Sequence, residues 1–155
     1  MNSRRLSFRH AAAVTTAAAC FVAVTGCAGG TPIPADARVE TMQTDKMVIR
    51  GTAEATAESP SCKMSPLPAK HFVKLEAPKT NGHVLLRPAL GQPKLELAVL
   101  HLTHMESNRT WCVQSTADGS AASIPAEFPY GTYAISVSEA RTTQPHRYEV
   151  VFEKL

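Results

Sequence analysis

The chain is 155 residues long, 44% hydrophobic and 19% charged, which is material for one folded domain rather than two. Its formal net charge of +3 traces to Arg4, Arg5 and Arg9 at the N-terminus. Set those three aside and 13 of the 16 Lys and Arg remain against 13 Asp and Glu, so residues 27–155 are neutral overall. Neither a basic patch for nucleic acid nor a field that draws a strongly acidic partner is expected.

The first segment in chain order has the layout of an export signal. Arg4, Arg5 and Arg9 form a basic start, and residues 11–26 are uncharged and rich in Ala, Val and Thr. That stretch is shorter than the roughly 20 apolar residues of a membrane-spanning helix. A basic start, an apolar middle and small residues at the end are those of a signal peptide over residues 1–26. Val24-Thr25-Gly26-Cys27 resembles the lipobox of bacterial lipoproteins, with an aliphatic residue and two small ones before a Cys. The resemblance implies that Cys27 becomes the acylated first residue of the mature chain, so that membrane lipid is its first partner. Several acyl chains hold better than one, since each buried CH₂ contributes about 0.8 kcal/mol.

Ser3-Arg4-Arg5-Leu6-Ser7-Phe8 is similar to a twin-arginine export signal, with Ser7 where that motif carries an apolar residue. Both the general and the twin-arginine routes stay open. Ala28, rather than Asp, after the lipidated Cys implies sorting to the outer membrane of a two-membrane cell. In a single-membrane cell the same anchor faces outward from the plasma membrane. Either way the expected location is the cell envelope, outside the cytoplasm.

Of the four cysteines, Cys20 leaves with the signal and Cys27 carries lipid on this reading. Cys62 and Cys112 remain as one pair in an oxidising compartment, and one disulfide is expected. Residues 27–38 form the lipidated tether, dominated by Gly, Pro and small residues. The folded domain then spans residues 39–155. Met47, Ile49 and Gly51 alternate with Val48, Arg50 and Thr52, and residues 52–57 continue that alternation weakly, with a short helix as the competing reading. Further apolar runs follow at His71–Leu75, Val84–Leu86, Leu95–Leu102, Trp111–Val113, Tyr133–Val137 and Tyr148–Phe152. Pro and Gly separate them, with turns at Asn81-Gly82 and Asp118-Gly119. Leu95–Leu102 is apolar on both faces and is expected to be a central strand. Six or seven short strands with no long stretch of helical periodicity predict an all-β fold, a single sandwich.

Residues 59–155 resemble the bacterial pre-peptidase C-terminal domain, a small jelly-roll-like β-sandwich. The resemblance rests on Ser61-Cys62, Pro66 and Pro68, the His71–Leu75 strand, the apolar Leu95–Leu102 run and Trp111-Cys112. It continues through Phe128-Pro129-Tyr130-Gly131-Thr132-Tyr133 and the closing strand from Pro145-His146-Arg147. Members often carry Asp just after the second Cys, where this chain has Val113-Gln114-Ser115, so the resemblance implies no calcium site here. Nor does Ile135–Val137 hold the tryptophan often found there. Such domains are generally non-catalytic accessories of secreted proteins, which implies binding or structure and names no ligand.

Candidate chemistry is sparse. His101, His104 and Met105 are the best metal candidates, because imidazole and thioether ligands suit copper. Residues three apart in a strand point to opposite faces, so His101 and His104 share a site only if the strand is broken between them. His71, His83, Met42, Met47 and Met64 are further donors that no spacing brings together. No Ser lies in a Gly-x-Ser-x-Gly elbow, Cys62 and Cys112 lack redox spacing, and no two carboxylates pair for acid–base work. Trp111, Tyr130 and Tyr133 form either an aromatic binding surface or core packing, with Trp111 expected against the disulfide. The expected function is therefore a non-catalytic structural or interaction module with no cofactor, whose partner is an envelope protein or polymer. The alternative is a lipoprotein that binds copper or a small ligand.

Overall fold

The computed structural model describes residues 32–95, 97–115, 121–140 and 145–154. The expected signal segment, Cys27, the first part of the expected tether and the expected Asp118-Gly119 turn lie outside the described residues.

The described residues form ten strands and no helix. They are β1 (Val39–Met42), β2 (Lys46–Thr52), β3 (Glu54–Thr56), β4 (His71–Leu75), β5 (Lys79–Pro88), β6 (Val99–His104), β7 (Arg109–Gln114), β8 (Ala122–Phe128), β9 (Gly131–Ala140) and β10 (Arg147–Lys154). One sheet has the order β1-β4-β9-β6-β7, with β3 pairing the far half of β9. The other is antiparallel in the order β2-β10-β5-β8. The two face each other as a β-sandwich.

Period-two alternation decides which side chains meet between the sheets. Leu100 and Leu102 of β6, Tyr133, Ile135 and Val137 of β9, and Tyr148, Val150 and Phe152 of β10 enter one apolar core. The residues between them face outward. Each fully buried aliphatic or aromatic side chain contributes about 1.5–3 kcal/mol, so this layer carries most of the fold's stability.

One expectation shifts, and two arrangements are new. The central strand begins at Val99, not Leu95, because Leu97 takes a left-handed conformation, with φ of 51°. Leu95 nevertheless reaches the core and is 2% exposed. The Val39–Thr52 region divides into β1, which pairs parallel with β4, and β2, which joins the other sheet. Strand β8 contains Pro125, which demotes a run in a sequence reading; the structure puts it at a sheet edge, where proline is tolerated.

The disulfide joins Cys62 to Cys112. Trp111 and Val113 of β7 lean on the core, so Cys112 between them faces outward. The bond therefore ties residues 57–70, the connection from β3 to β4, across the outer face of the larger sheet.

Candidate functional site

Two cross-strand rows define that outer face. Phe72, Ala134, Thr103 and Thr110 lie side by side on β4, β9, β6 and β7. In the next row, Ser136, His101 and Cys112 are neighbours. His101 is thus directly opposite the disulfide cysteine and under the stapled segment. It is 5% exposed, its Nε2 has no hydrogen-bond partner, and its ring shares a hydrogen bond with the Met64 backbone. Burial lowers its pKa below the ordinary imidazole value, and the Met64 bond opposes this in part. The neutral form is favoured.

His104 points to the opposite side of β6. Its ring lies 5.0 Å from that of Tyr133. Nδ1 is 2.7 Å from Ser107 Oγ, while Nε2 is 3.0 Å from the Tyr130 carbonyl and 3.1 Å from Glu106 Oε2. The Glu106 carboxylate also accepts from the Thr132 N–H, at 2.8 and 3.1 Å. Gly131 between these groups has φ of 135°, and a Cβ there would run into the His104 ring and the Glu106 carboxylate. This is a clasp that binds the β6–β7 turn to the start of β9, and it occupies both nitrogens of His104.

The sequence's metal candidates are therefore not brought together. Met105 lies with Phe72 and Thr103 on the outer side, and its N–H donates to the Thr132 carbonyl at 2.8 Å. His71 meets the Tyr148 ring edge-on at 6.3 Å between the sheets. Its pKa is lowered by burial, against the opposing Glu40 and with the help of Lys70. Met42 and Met47 belong to the core or its margin, and His83 lies on the smaller sheet, paired in register with Glu153 and Pro125. Among the described residues no group of three or more His, Cys, Asp or Glu is placed to hold a metal ion.

The aromatic trio also disperses. Tyr133 is buried, and its hydroxyl donates to the Pro129 carbonyl at 2.7 Å. Burial first, and then the nearby Glu106, push that phenol well above its usual pKa. Trp111 lies 5.5 Å from Phe128 and 5.9 Å from Tyr133, with Arg109 over its ring at 4.6 Å. It packs inward, away from the disulfide, because neighbours in a strand take opposite faces. Tyr130 is 69% exposed.

Two polar clusters escape a sequence reading, because strand register creates the first and the path of the chain between the sheets the second. Glu149 is paired with Arg50 on one side and Arg87 on the other. Arg50 Nε donates at 2.9 Å, and Arg87 donates twice, at 3.0 and 2.8 Å. These hydrogen bonds, Arg87 first, hold the Glu149 carboxyl below its ordinary pKa. Glu149, Arg50 and Arg147 line a shallow groove of about 530 Å³, with Leu90 at its rim. On the larger sheet, Glu139 is 1% exposed and lies 2.7 Å from His146 Nδ1. Both acids have structural partners.

A second groove, of about 580 Å³, runs over the outer face of the larger sheet. Phe72, Ala134, Thr103 and Thr110 form its floor; Pro66–Ala69 and Pro32 with Pro34 form its walls. Not one of its lining residues is charged.

No family model matches the chain, and no curated protein does. Solved structures similar to it include the pre-peptidase C-terminal domain of a collagenase from Bacillus anthracis, at 11% identity and a TM-score of 0.47. That likeness covers 79% of this chain and 100% of the other.

Proposed function

We propose that this protein is a lipid-anchored, non-catalytic binding or structural module of the cell envelope, exported with residues 1–26 as its signal and held by acyl chains on Cys27. One observation carries the reading. The groups able to do chemistry are either engaged in holding the sandwich together or, like His101 with its unpaired Nε2, buried away from any substrate, while an uncharged groove stands open beside the N-terminal segment. His104 has both nitrogens occupied, Glu149 is clamped by two arginines, and Cys62 and Cys112 are bonded to each other. A general base or a nucleophile needs a free atom within reach of a substrate. The copper-binding alternative needs His101, His104 and a Met within about 2–2.5 Å of one point, and the two imidazoles point away from each other.

Mass spectrometry of unreduced peptides from the native membrane tests the anchoring. An N-terminal Cys27 peptide with acyl mass is expected, together with a Cys62–Cys112 linked peptide. An unmodified Cys27 would sink the lipoprotein reading. Cys27→Ser is expected to move the protein from the membrane fraction to the soluble one. Pull-down from detergent-solubilised envelopes addresses the interaction role; the absence of any specific partner across repeated preparations counts against it.

A further inference from the structure

We infer that the uncharged groove on the outer face of the larger sheet is the surface by which the protein rests on the bilayer, with the acyl region of that bilayer as its occupant. The inference rests on the acylation of Cys27 proposed above.

Pro32 and Pro34 form one wall of the groove. Cys27 lies five residues before Pro32. A chain extends by at most about 3.6 Å per residue, so this wall can be no more than about 18 Å from the lipidated residue. A lipid on Cys27 therefore ties this groove to the membrane surface.

The lining suits that medium. Leu67 and the wall prolines supply apolar surface over a floor that includes the buried Phe72 and Met105, and none of the lining residues brings a charge. Entry into an apolar phase is costly chiefly for charges and for unpaired backbone donors. Four of the wall residues, Pro32, Pro34, Pro66 and Pro68, have no backbone N–H at all. The groove on the smaller sheet is lined by Arg50, Arg147 and Glu149, which would have to be stripped of water. The uncharged groove is also preformed. Cys62 fixes the covering segment four residues before Pro66, and proline restricts both itself and the residue before it. Little conformational entropy is then lost on contact with lipid.

The test places the photoreactive residue p-benzoylphenylalanine at Leu67 in the full-length lipidated protein. The control position is Leu90, a 99% exposed apolar residue at the other groove. Each protein is reconstituted in vesicles of phosphatidylethanolamine and phosphatidylglycerol, irradiated, and digested for mass spectrometry. Lipid adducts are expected at position 67 and not at 90, with loss of the adduct in Cys27→Ser. Equal adducts at both positions, or adducts at 90 alone, would overturn the inference. So would a protein adduct in place of lipid at 67 when irradiation is done in native membranes. The same digest reports the acyl mass on Cys27. An unmodified Cys27 removes the anchoring reading and this one together, whereas an acylated Cys27 with no adduct at 67 removes this one alone. Hydrogen exchange of the unsubstituted protein supplies a reading free of any folding defect. Peptides covering residues 64–72 are expected to exchange more slowly on vesicles than in soluble Cys27→Ser, and equal rates overturn the inference.

Discussion

At His101 a single strand position decides between a ligand and a core side chain. The ring is closed in by the stapled segment, and burial lowers its pKa from 6.5. The unfolded chain therefore binds more protons as pH falls. The stabilising contribution is complete above pH 6.5 and is lost as pH falls below it toward the folded-state value. His71 shifts in the same direction. Urea midpoints are expected to fall between pH 7 and pH 5, each histidine contributing a slope of at most about 1.4 kcal/mol per pH unit. His101→Leu should flatten part of that slope, and an unchanged pH profile would remove His101 as its source. Gly51 is decided by close approach. A Cβ there would lie 2.5 Å from Tyr148 Cζ and 2.7 Å from His71 Nε2. Tyr148 is buried, with its phenol pushed up to about 12 by that burial, so it has no room to retreat. Gly51→Ala is expected to cost about 1–3 kcal/mol in denaturant melts, as overpacking does. A melt identical to wild type would mean that the ring can swing aside.

At the scale of elements, alternation was legible wherever one face is buried. The inward residues of β9 and β10 follow from the sequence pattern alone. Strand β8 was not legible, because Pro125 argues against a strand unless its edge position is known. Leu95–Ala98 were misread for the opposite reason: apolar residues on both faces suit a buried strand and a buried turn equally. The disulfide belongs at this scale, since it holds an irregular segment over a sheet with no ladder to support it. Replacing Cys62 and Cys112 together by Ser should cost about 4 kcal/mol for a closure of this length. It should also free the cover over His101, so that peptides of residues 57–70 exchange faster with deuterium than those of β9. Uniform acceleration across the sandwich would assign the bond to global stability alone.

For the whole molecule, the sequence by itself determined the class of fold and the cysteine pair. Alternation, turn residues and the counting of thiols are local or compositional signals that survive without coordinates. The export and acylation signals proposed for residues 1–27 are likewise linear motifs, whose reading needs no fold. What only the tertiary structure decided is which residues become neighbours. The two faces of β6 separate His101 from His104, register sets Glu149 between Arg50 and Arg87, and the crossing of residues 57–70 builds a groove from segments far apart in the chain. Side chains in a sheet meet through register between strands, and register depends on the whole arrangement of strands rather than on spacing within any one of them.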